Sequence, residues 1–125
     1  MWGRKPFYFG DNISVRVADL NRAVAWYKEK LELCLTPVSS EDFDAFLAFS
    51  KDDETGLALV KLPAGQAAVN VEHHPILFTK RLEACRDVFA SRGIQVGPLQ
   101  SDSGGNSFFQ FQDVDGNRIE VCVEP

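Results

Sequence analysis

The fold of this chain follows from residues 13–27, which read Ile13-Ser-Val-Arg-Val-Ala-Asp-Leu-Asn-Arg-Ala-Val-Ala-Trp-Tyr27. The first five residues alternate apolar and polar side chains, a pattern typical of a half-buried strand. After them, apolar side chains recur at helical spacing. Asp19 suits the N-cap of that helix because its carboxylate can accept hydrogen bonds from free backbone N–H groups. The stretch therefore predicts a strand that runs directly into a helix.

The same strand-to-helix unit occurs again further along the chain. Ile76-Leu-Phe-Thr79 runs into a second helical pattern that begins at Leu82. An alignment of the two units without a gap pairs Leu20 with Leu82 and Asn12 with His74. Each unit is followed by short strand-like segments and by no further helical pattern. An internal repeat of this kind fixes the architecture before any single residue is interpreted.

The chain is therefore expected to form one α+β domain built from two βαβββ modules. The short linker that begins at Pro63 is the best internal boundary, so the modules should cover about residues 1–66 and 67–125. Gly93 is a natural left-handed stop for the second helix. Further strands are expected over residues 33–38, 43–49, 56–62, 94–99, 107–112 and 118–123.

Composition limits the classes of partner. With 125 residues the chain can bury a real core, and its formal charge of -5 argues against binding to nucleic acid. The sequence has no apolar run of the length that a membrane span needs, so we expect no membrane partner. The N-terminus has no apolar stretch typical of a signal peptide. Cys34, Cys85 and Cys122 are widely spaced and include no CxxC motif, which favours free thiols in a reducing cytoplasm.

Together these features resemble the vicinal oxygen chelate superfamily, which includes glyoxalase I, bleomycin-resistance proteins, fosfomycin-resistance proteins and extradiol dioxygenases. The clearest marks are residues 17–27, Arg92-Gly93 and Asp113-Val-Asp-Gly-Asn-Arg-Ile-Glu120. The resemblance implies a glyoxalase/bleomycin-resistance-like fold, in which the two modules form a cupped mixed sheet around a cavity. Glu32 departs from the family pattern, which usually has glycine after the first helix. Because this fold hosts many chemistries, the resemblance alone assigns no activity.

The resemblance also implies where a metal would bind. Metal-dependent relatives use His or Gln from the first strand, Glu from the fourth, His from the fifth and Glu from the eighth, which correspond here to Asn12, Val60, His74 and Glu120. Of these, His74 and Glu120 are good ligands, whereas a catalytic divalent site usually needs three protein ligands. We therefore expect no cofactor. The alternative is an incomplete divalent-metal site at His74 and Glu120.

The expected cavity face carries side chains suited to an organic ligand. Arginine side chains can hold an anionic group by forked hydrogen bonds, and phenylalanine rings can stack on a planar one. Each has a structural alternative, since an arginine can end in solvent and a ring can belong to the core. Glu120 could act as a general base if burial raised its pKa. The expected ligand-binding residues are Asn12, Arg16, Phe78, Phe108, Gln110 and Arg118.

Two functions fit these observations. The first is a protein of the bleomycin-resistance type, which binds a small organic molecule in a metal-free cavity. The second is a metal-dependent lyase, isomerase or dioxygenase that acts on a substrate with vicinal oxygens, with Glu120 as ligand or base. The poor ligands at Asn12 and Val60 favour the first function, and His74 with Glu120 favours the second. In either case we expect a homodimer, because the open concave face and the edge strands need cover.

Overall fold

The computed structural model describes residues 5–63 and 75–124. The predicted module boundary and His74 lie outside these ranges. Neither helix of the described ranges is long and apolar enough to cross a membrane. In chain order the elements are β1 (Ile13–Val17), α1 (Leu20–Leu31), β2 (Cys34–Leu35), β3 (Ala45–Ala48), β4 (Leu57–Lys61), β5 (Ile76–Thr79), α2 (Leu82–Ser91), β6 (Gln95–Val96), β7 (Gln100–Ser101), β8 (Ser107–Gln112) and β9 (Arg118–Val123).

The strands form two mixed sheets. Sheet 1 has four strands in the order β1-β4-β3-β2, and sheet 2 has five, in the order β5-β9-β8-β6 with β7 also paired to β8. In each sheet the strand before the helix pairs in parallel with the last strand of the module, and the other pairs are antiparallel. This arrangement confirms the predicted α+β, glyoxalase-like fold.

The strand register makes the repeat visible at single residues. Ser14 pairs with Ala58 in sheet 1, just as Ile76 pairs with Glu120 in sheet 2. Because the repeat aligns Ser14 with Ile76, the counterpart of Glu120 in the first module is Ala58. This position therefore belongs to Ala58 and not to Val60, the residue expected from the family resemblance. Neither side chain carries an atom that could bind a metal ion.

The helix ends follow the predicted chemistry. The Asp19 carboxylate accepts a hydrogen bond from the backbone N–H of Arg22 at 3.1 Å, as an N-cap should. Gly93 follows α2 with φ of 80°, in the left-handed region that favours glycine. Glu32 ends α1 with φ of 52°, which explains why glycine suits this position. The Glu32 carboxylate is held by Arg92 at 2.8 Å, a contact that a glycine could not make.

One hydrophobic core extends through both modules on the helix-facing sides of the sheets. Phe7 lies at its centre, with ring centroids 5.0 Å from Phe49 and 5.6 Å from Phe89. These three rings come from the N-terminal segment, the end of sheet 1 and α2. The modules are therefore packed together through their helix sides, which leaves the opposite faces of the sheets as the surfaces available for a ligand.

The hairpin turn between β8 and β9 ties the two modules together. Asp113 accepts hydrogen bonds from the backbone N–H and the amide of Asn117, and from the hydroxyl of buried Tyr27 at 2.6 Å. The Asn117 amide also donates to the backbone carbonyl of Arg16 at 2.8 Å. The family motif at residues 113–120 therefore connects the β8–β9 turn to α1 and β1 by hydrogen bonds.

Several predicted strands are shorter than expected. The strand predicted over 94–99 reduces to β6, because Pro98 has no N–H to continue the ladder after Gly97 bonds to Gln110, and β7 begins only beyond the predicted range. The strand predicted over 33–38 reduces to β2, followed by Pro37. In the N-terminal segment, Tyr8 forms a single antiparallel bridge to Phe78.

Candidate functional site

The open face of sheet 2 is the face turned away from the helices. Alternation along β8 and β9 buries Phe109, Phe111, Ile119 and Val121 in the core, so the residues between them point to the open face. Most of these are half-buried, which is the accessibility that a ligand platform needs. The residues of β5, β8 and β9 on this face are Ile76, Phe78, Phe108, Gln110, Gln112, Arg118, Glu120 and Cys122.

Three rings form an aromatic row across the open face. The register pairs Cys122 with Phe78 on one side and with Phe108 on the other. Tyr8 extends the row, since its ring stacks on Phe78 with centroids 5.9 Å apart and an interplanar angle of 28°. The backbone at Gly10 passes so close to Phe78 that a Cβ there would lie 2.6 Å from the ring. The aromatic row is therefore held in place from the N-terminal side.

Two polar rows lie beside the aromatic row. The first pairs Gln110 with Glu120, and the second pairs Gln112 with both Arg118 and Gln95. Successive rows are two residues apart along the strands, which corresponds to about 7 Å. The open face thus changes from aromatic to polar over a distance that one small ligand can span.

Cys122 and Glu120 interact directly on this face. The Cys122 thiol donates a hydrogen bond to a carboxylate oxygen of Glu120 at 3.1 Å. Burial, and then the bond and the charge of Glu120, raise the pKa of Cys122 to about 12. The thiol therefore stays protonated near neutral pH and is a poor nucleophile.

The residues predicted from the first module lie apart from the aromatic and polar rows. Asn12 uses its side-chain oxygen to accept a hydrogen bond from the backbone N–H of Gly56 at 3.0 Å, which anchors the start of β4. Arg16 is exposed on the open face of sheet 1, beside Val60. The structure therefore brings together Phe78, Phe108, Gln110, Arg118 and Glu120 on sheet 2, and leaves Asn12 and Arg16 with sheet 1.

The open face of sheet 1 is partly filled by the protein itself. Phe43 packs on Phe46 with centroids 5.6 Å apart, and Phe46 forms a buried cluster with Ala48 and Ala58. The segment before β3 thus covers part of this face. Sheet 2 consequently offers the larger set of accessible polar and aromatic side chains.

Concave surface is present beside the polar rows. A cleft of about 270 Å³ is lined by Gln95, Val96, Gly97, Gln110, Phe111, Gln112 and Arg118. A larger, open groove of about 560 Å³ lies at the start of α2 and along β7, and none of the predicted site residues lines it. The cleft is therefore the depression that coincides with the predicted site.

The donor atoms of the described residues do not fit a tightly held divalent ion. Within residues 5–63 and 75–124, no three His, Cys, Asp or Glu side chains are grouped so that they could hold a metal ion. Ala58 and Val60 offer no ligand atom, and the Asn12 oxygen is bonded to Gly56. Glu120 is the carboxylate that remains at the predicted metal position, and His74 lies outside the described residues.

Three residues of the open face are not among those predicted from the sequence. Tyr8 joins the aromatic row through a bridge to β5 that no local pattern indicates. Gln95 reaches the polar rows because β6 pairs with β8, which again depends on long-range pairing. Gln112 could have been found, since it follows Gln110 by two positions in the same strand and must share its face.

Solved structures of similar shape cover almost the whole chain. A member of the glyoxalase/bleomycin resistance protein/dioxygenase superfamily from Sphaerobacter thermophilus has a TM-score of 0.70 and 18% identity, covering 91% of this chain and 96% of its own. An integron cassette protein from the mobile metagenome of the Halifax Harbour sewage outfall has a TM-score of 0.71 and 18% identity, covering 92% and 98%. The fosfomycin resistance protein FosX from Listeria monocytogenes has a TM-score of 0.63 and 14% identity, covering 92% of each chain.

At these identities the similar structures show the fold alone. No curated protein sequence matches the chain significantly. The sequence profile of the Glyoxalase/Bleomycin resistance protein/Dioxygenase superfamily matches residues 11–121. Because this match spans nearly the whole sequence, the chain belongs to the glyoxalase/bleomycin resistance protein/dioxygenase superfamily.

Proposed function

We propose that this protein binds a small organic molecule on the open face of sheet 2, without a tightly held metal ion. The observation that carries the proposal is the aromatic row of Tyr8, Phe78 and Phe108 directly beside polar rows that contain Gln110 and Arg118. Small-molecule sites typically combine apolar and aromatic walls with a few polar groups that fix orientation. This face has that composition.

The two parts of the face suit two ends of one ligand. Phe78 and Phe108 present half-buried rings, on which a planar or aliphatic group can pack. Gln110 and Arg118 offer hydrogen bonds to an oxygen-rich end, and the cleft between β6 and β8 provides room for it. The proposed ligand is therefore a small molecule with one apolar end and one polar end.

We further propose that the protein is a cytoplasmic homodimer. Leu35, Val38 and Ile76 are exposed by 52%, 46% and 40%, and a partner subunit would remove this apolar surface from water. A second subunit would also cover the open faces of the sheets, where Arg16 of sheet 1 could then contribute to a ligand site. Free thiols at Cys34, Cys85 and Cys122 agree with a reducing compartment.

The alternative is a metal-dependent lyase, isomerase or dioxygenase that acts on vicinal oxygens. The observation in its favour is Glu120, whose carboxylate lies on the open face beside Gln110. That function requires further ligands from outside the described residues, with His74 as the first candidate. Metal content and ligand binding can therefore separate the two functions.

The proposal is tested by measuring, with ligand-observed NMR, whether small aromatic molecules such as indole bind to the protein. The informative variant is Phe108→Ala, which removes one ring of the aromatic row. Its matched control is Phe43→Ala, which removes a half-buried ring from sheet 1. We expect Phe108→Ala to weaken binding about fivefold, because stacking on a ring contributes on the order of 1 kcal/mol.

The control should bind as tightly as the wild type. Circular dichroism of both variants establishes that they are folded, and Phe108→Leu provides a milder change if Phe108→Ala is not. The proposal is wrong if no small aromatic molecule binds to the wild type. It is equally wrong if a folded Phe108 variant and the Phe43→Ala control bind alike.

A further inference from the structure

Three glutamine side chains meet in the cleft of sheet 2. Gln95 of β6 pairs with Gln112 of β8, and Gln110 lies two positions from Gln112 on the same face. All three line the cleft of about 270 Å³. Three primary amides on neighbouring strands form a concentrated hydrogen-bonding surface at one end of the proposed site.

These amides are not engaged by the described part of the protein. Within residues 5–63 and 75–124, no side-chain hydrogen bond joins Gln95, Gln110 or Gln112 to another residue. The backbone carbonyl of Gln110 is already used, since it accepts from the N–H of Gly97 at 2.7 Å. The side-chain amides of these glutamines are therefore the groups that can form hydrogen bonds with a ligand in the cleft, and each can both donate and accept a hydrogen bond.

Charges of both signs lie next to the amides among the described residues. Arg118 pairs with Gln112 across the strands, and Glu120 pairs with Gln110 in the same way. A carboxylate group placed at Gln110 would be repelled by the neighbouring Glu120, which offsets the attraction of Arg118. An uncharged group that offers both a donor and an acceptor can instead pair with the glutamine amides.

We infer that the cleft recognises an uncharged carboxamide or lactam edge of the ligand. This inference rests on the proposed function and names the chemistry of the polar end. The aromatic row lies about 7 Å from Gln110, the spacing of two residues along a strand. A ring packed on Phe108 can therefore carry its amide group to Gln110, which makes a small aromatic or heteroaromatic amide the expected class of ligand.

The test compares amides with the matching acids, using benzamide against benzoate and nicotinamide against nicotinate. Dissociation constants are measured for the wild type, for Gln110→Glu and for Asn21→Asp. The last variant is the matched control, because it also replaces an amide by a carboxylate, at the exposed Asn21 of α1 on the helix side of the sheets. Circular dichroism verifies folding, and Gln112→Glu serves as a second variant of the cleft.

We expect each amide to bind the wild type about fivefold or more tightly than its acid, since an unmatched polar pair costs on the order of 1 kcal/mol. Gln110→Glu should weaken amide binding about tenfold, whereas Asn21→Asp should keep the preference for the amide. Equal or tighter binding of the acids would overturn the inference, and so would unchanged amide binding in folded Gln110→Glu and Gln112→Glu.

The failure of this inference can be told apart from failure of the proposed function. If indole binds in a manner that depends on Phe108 while neither amide binds, the site exists and the assignment of its polar end is wrong. If neither indole nor the amides bind, both the site and the assignment are wrong.

Discussion

The pKa of the Cys122 thiol depends on the neighbouring side chain of Glu120. Burial, and then the hydrogen bond and the negative charge of Glu120, raise the pKa of Cys122 to about 12. The substitution Glu120→Gln removes the negative charge, so the pKa of Cys122 should fall towards its ordinary value. A larger fraction of thiolate then forms at pH 9, and alkylation of Cys122 by iodoacetamide should become faster than in the wild type.

Alkylation rates at pH 9 are read by mass spectrometry of the peptide that contains Cys122. Cys85, which is buried in the core away from Glu120, is the internal control, because the substitution should not change its rate. An unchanged or slower rate at Cys122 would mean that Glu120 does not face the thiol, and would remove Glu120 from its place on the open face.

At the scale of single residues, sequence alternation predicted the face of most site side chains. Phe108, Gln110 and Glu120 share a face because side chains alternate along β8 and β9. The role of Asn12 could not be predicted in this way. Its side-chain oxygen bonds to Gly56, a residue that approaches only after β1 and β4 have paired.

Among the elements, the β8–β9 turn makes buried hydrogen bonds to the first module. Asp113 accepts hydrogen bonds from Asp115, Asn117 and Tyr27 while it is buried. The substitution Asp113→Ala leaves these donors without their acceptor, so it should lower the free energy of unfolding by about 3 kcal/mol or more. Urea denaturation followed by circular dichroism measures the change.

Asp102 provides a matched control for this substitution. Its carboxylate also gathers several donors, from Gly104 and Asn106, but it lies in an exposed loop. Because water can replace those bonds, Asp102→Ala should have a much smaller effect than Asp113→Ala. Equal losses in the two variants would contradict the view that the β8–β9 turn stabilises the contact between the modules.

The elements themselves were largely predictable, and their edges were not. Both helices, and the strands with long alternating runs, follow from local periodicity and capping. The early end of β6 depends on Pro98 and on the hydrogen bond from Gly97 to Gln110. Such edges are set by long-range pairing, and local composition does not encode it.

Considered as a whole, the molecule exposes apolar side chains that a second subunit would cover. Leu35 and Val38 lie close together in sequence on sheet 1 and its following loop, and both are exposed. We expect a homodimer in solution at tens of micromolar, because burial of such surface favours association. Multi-angle light scattering gives the mass, and a mass of one chain over that concentration range would contradict the proposal.

The residues predicted for the site lie on both sheets, and the packing of distant segments over the sheets explains this division. The internal repeat predicts equivalent strand positions in the two modules, and Phe43 covers part of the open face of sheet 1. Tyr8 reaches sheet 2 from the other end of the chain. Neither placement follows from a motif, because each depends on how distant segments pack over the sheets.

We propose that the open face of sheet 2 binds an organic molecule and is not a centre for a tightly held metal. Elemental analysis of protein purified without chelators is the direct test of this proposal. We expect only a small fraction of a bound divalent ion per chain, because the register puts Ala58 where a second carboxylate would be needed. Near-stoichiometric zinc, manganese, iron or nickel that is lost in the variant His74→Ala would contradict it.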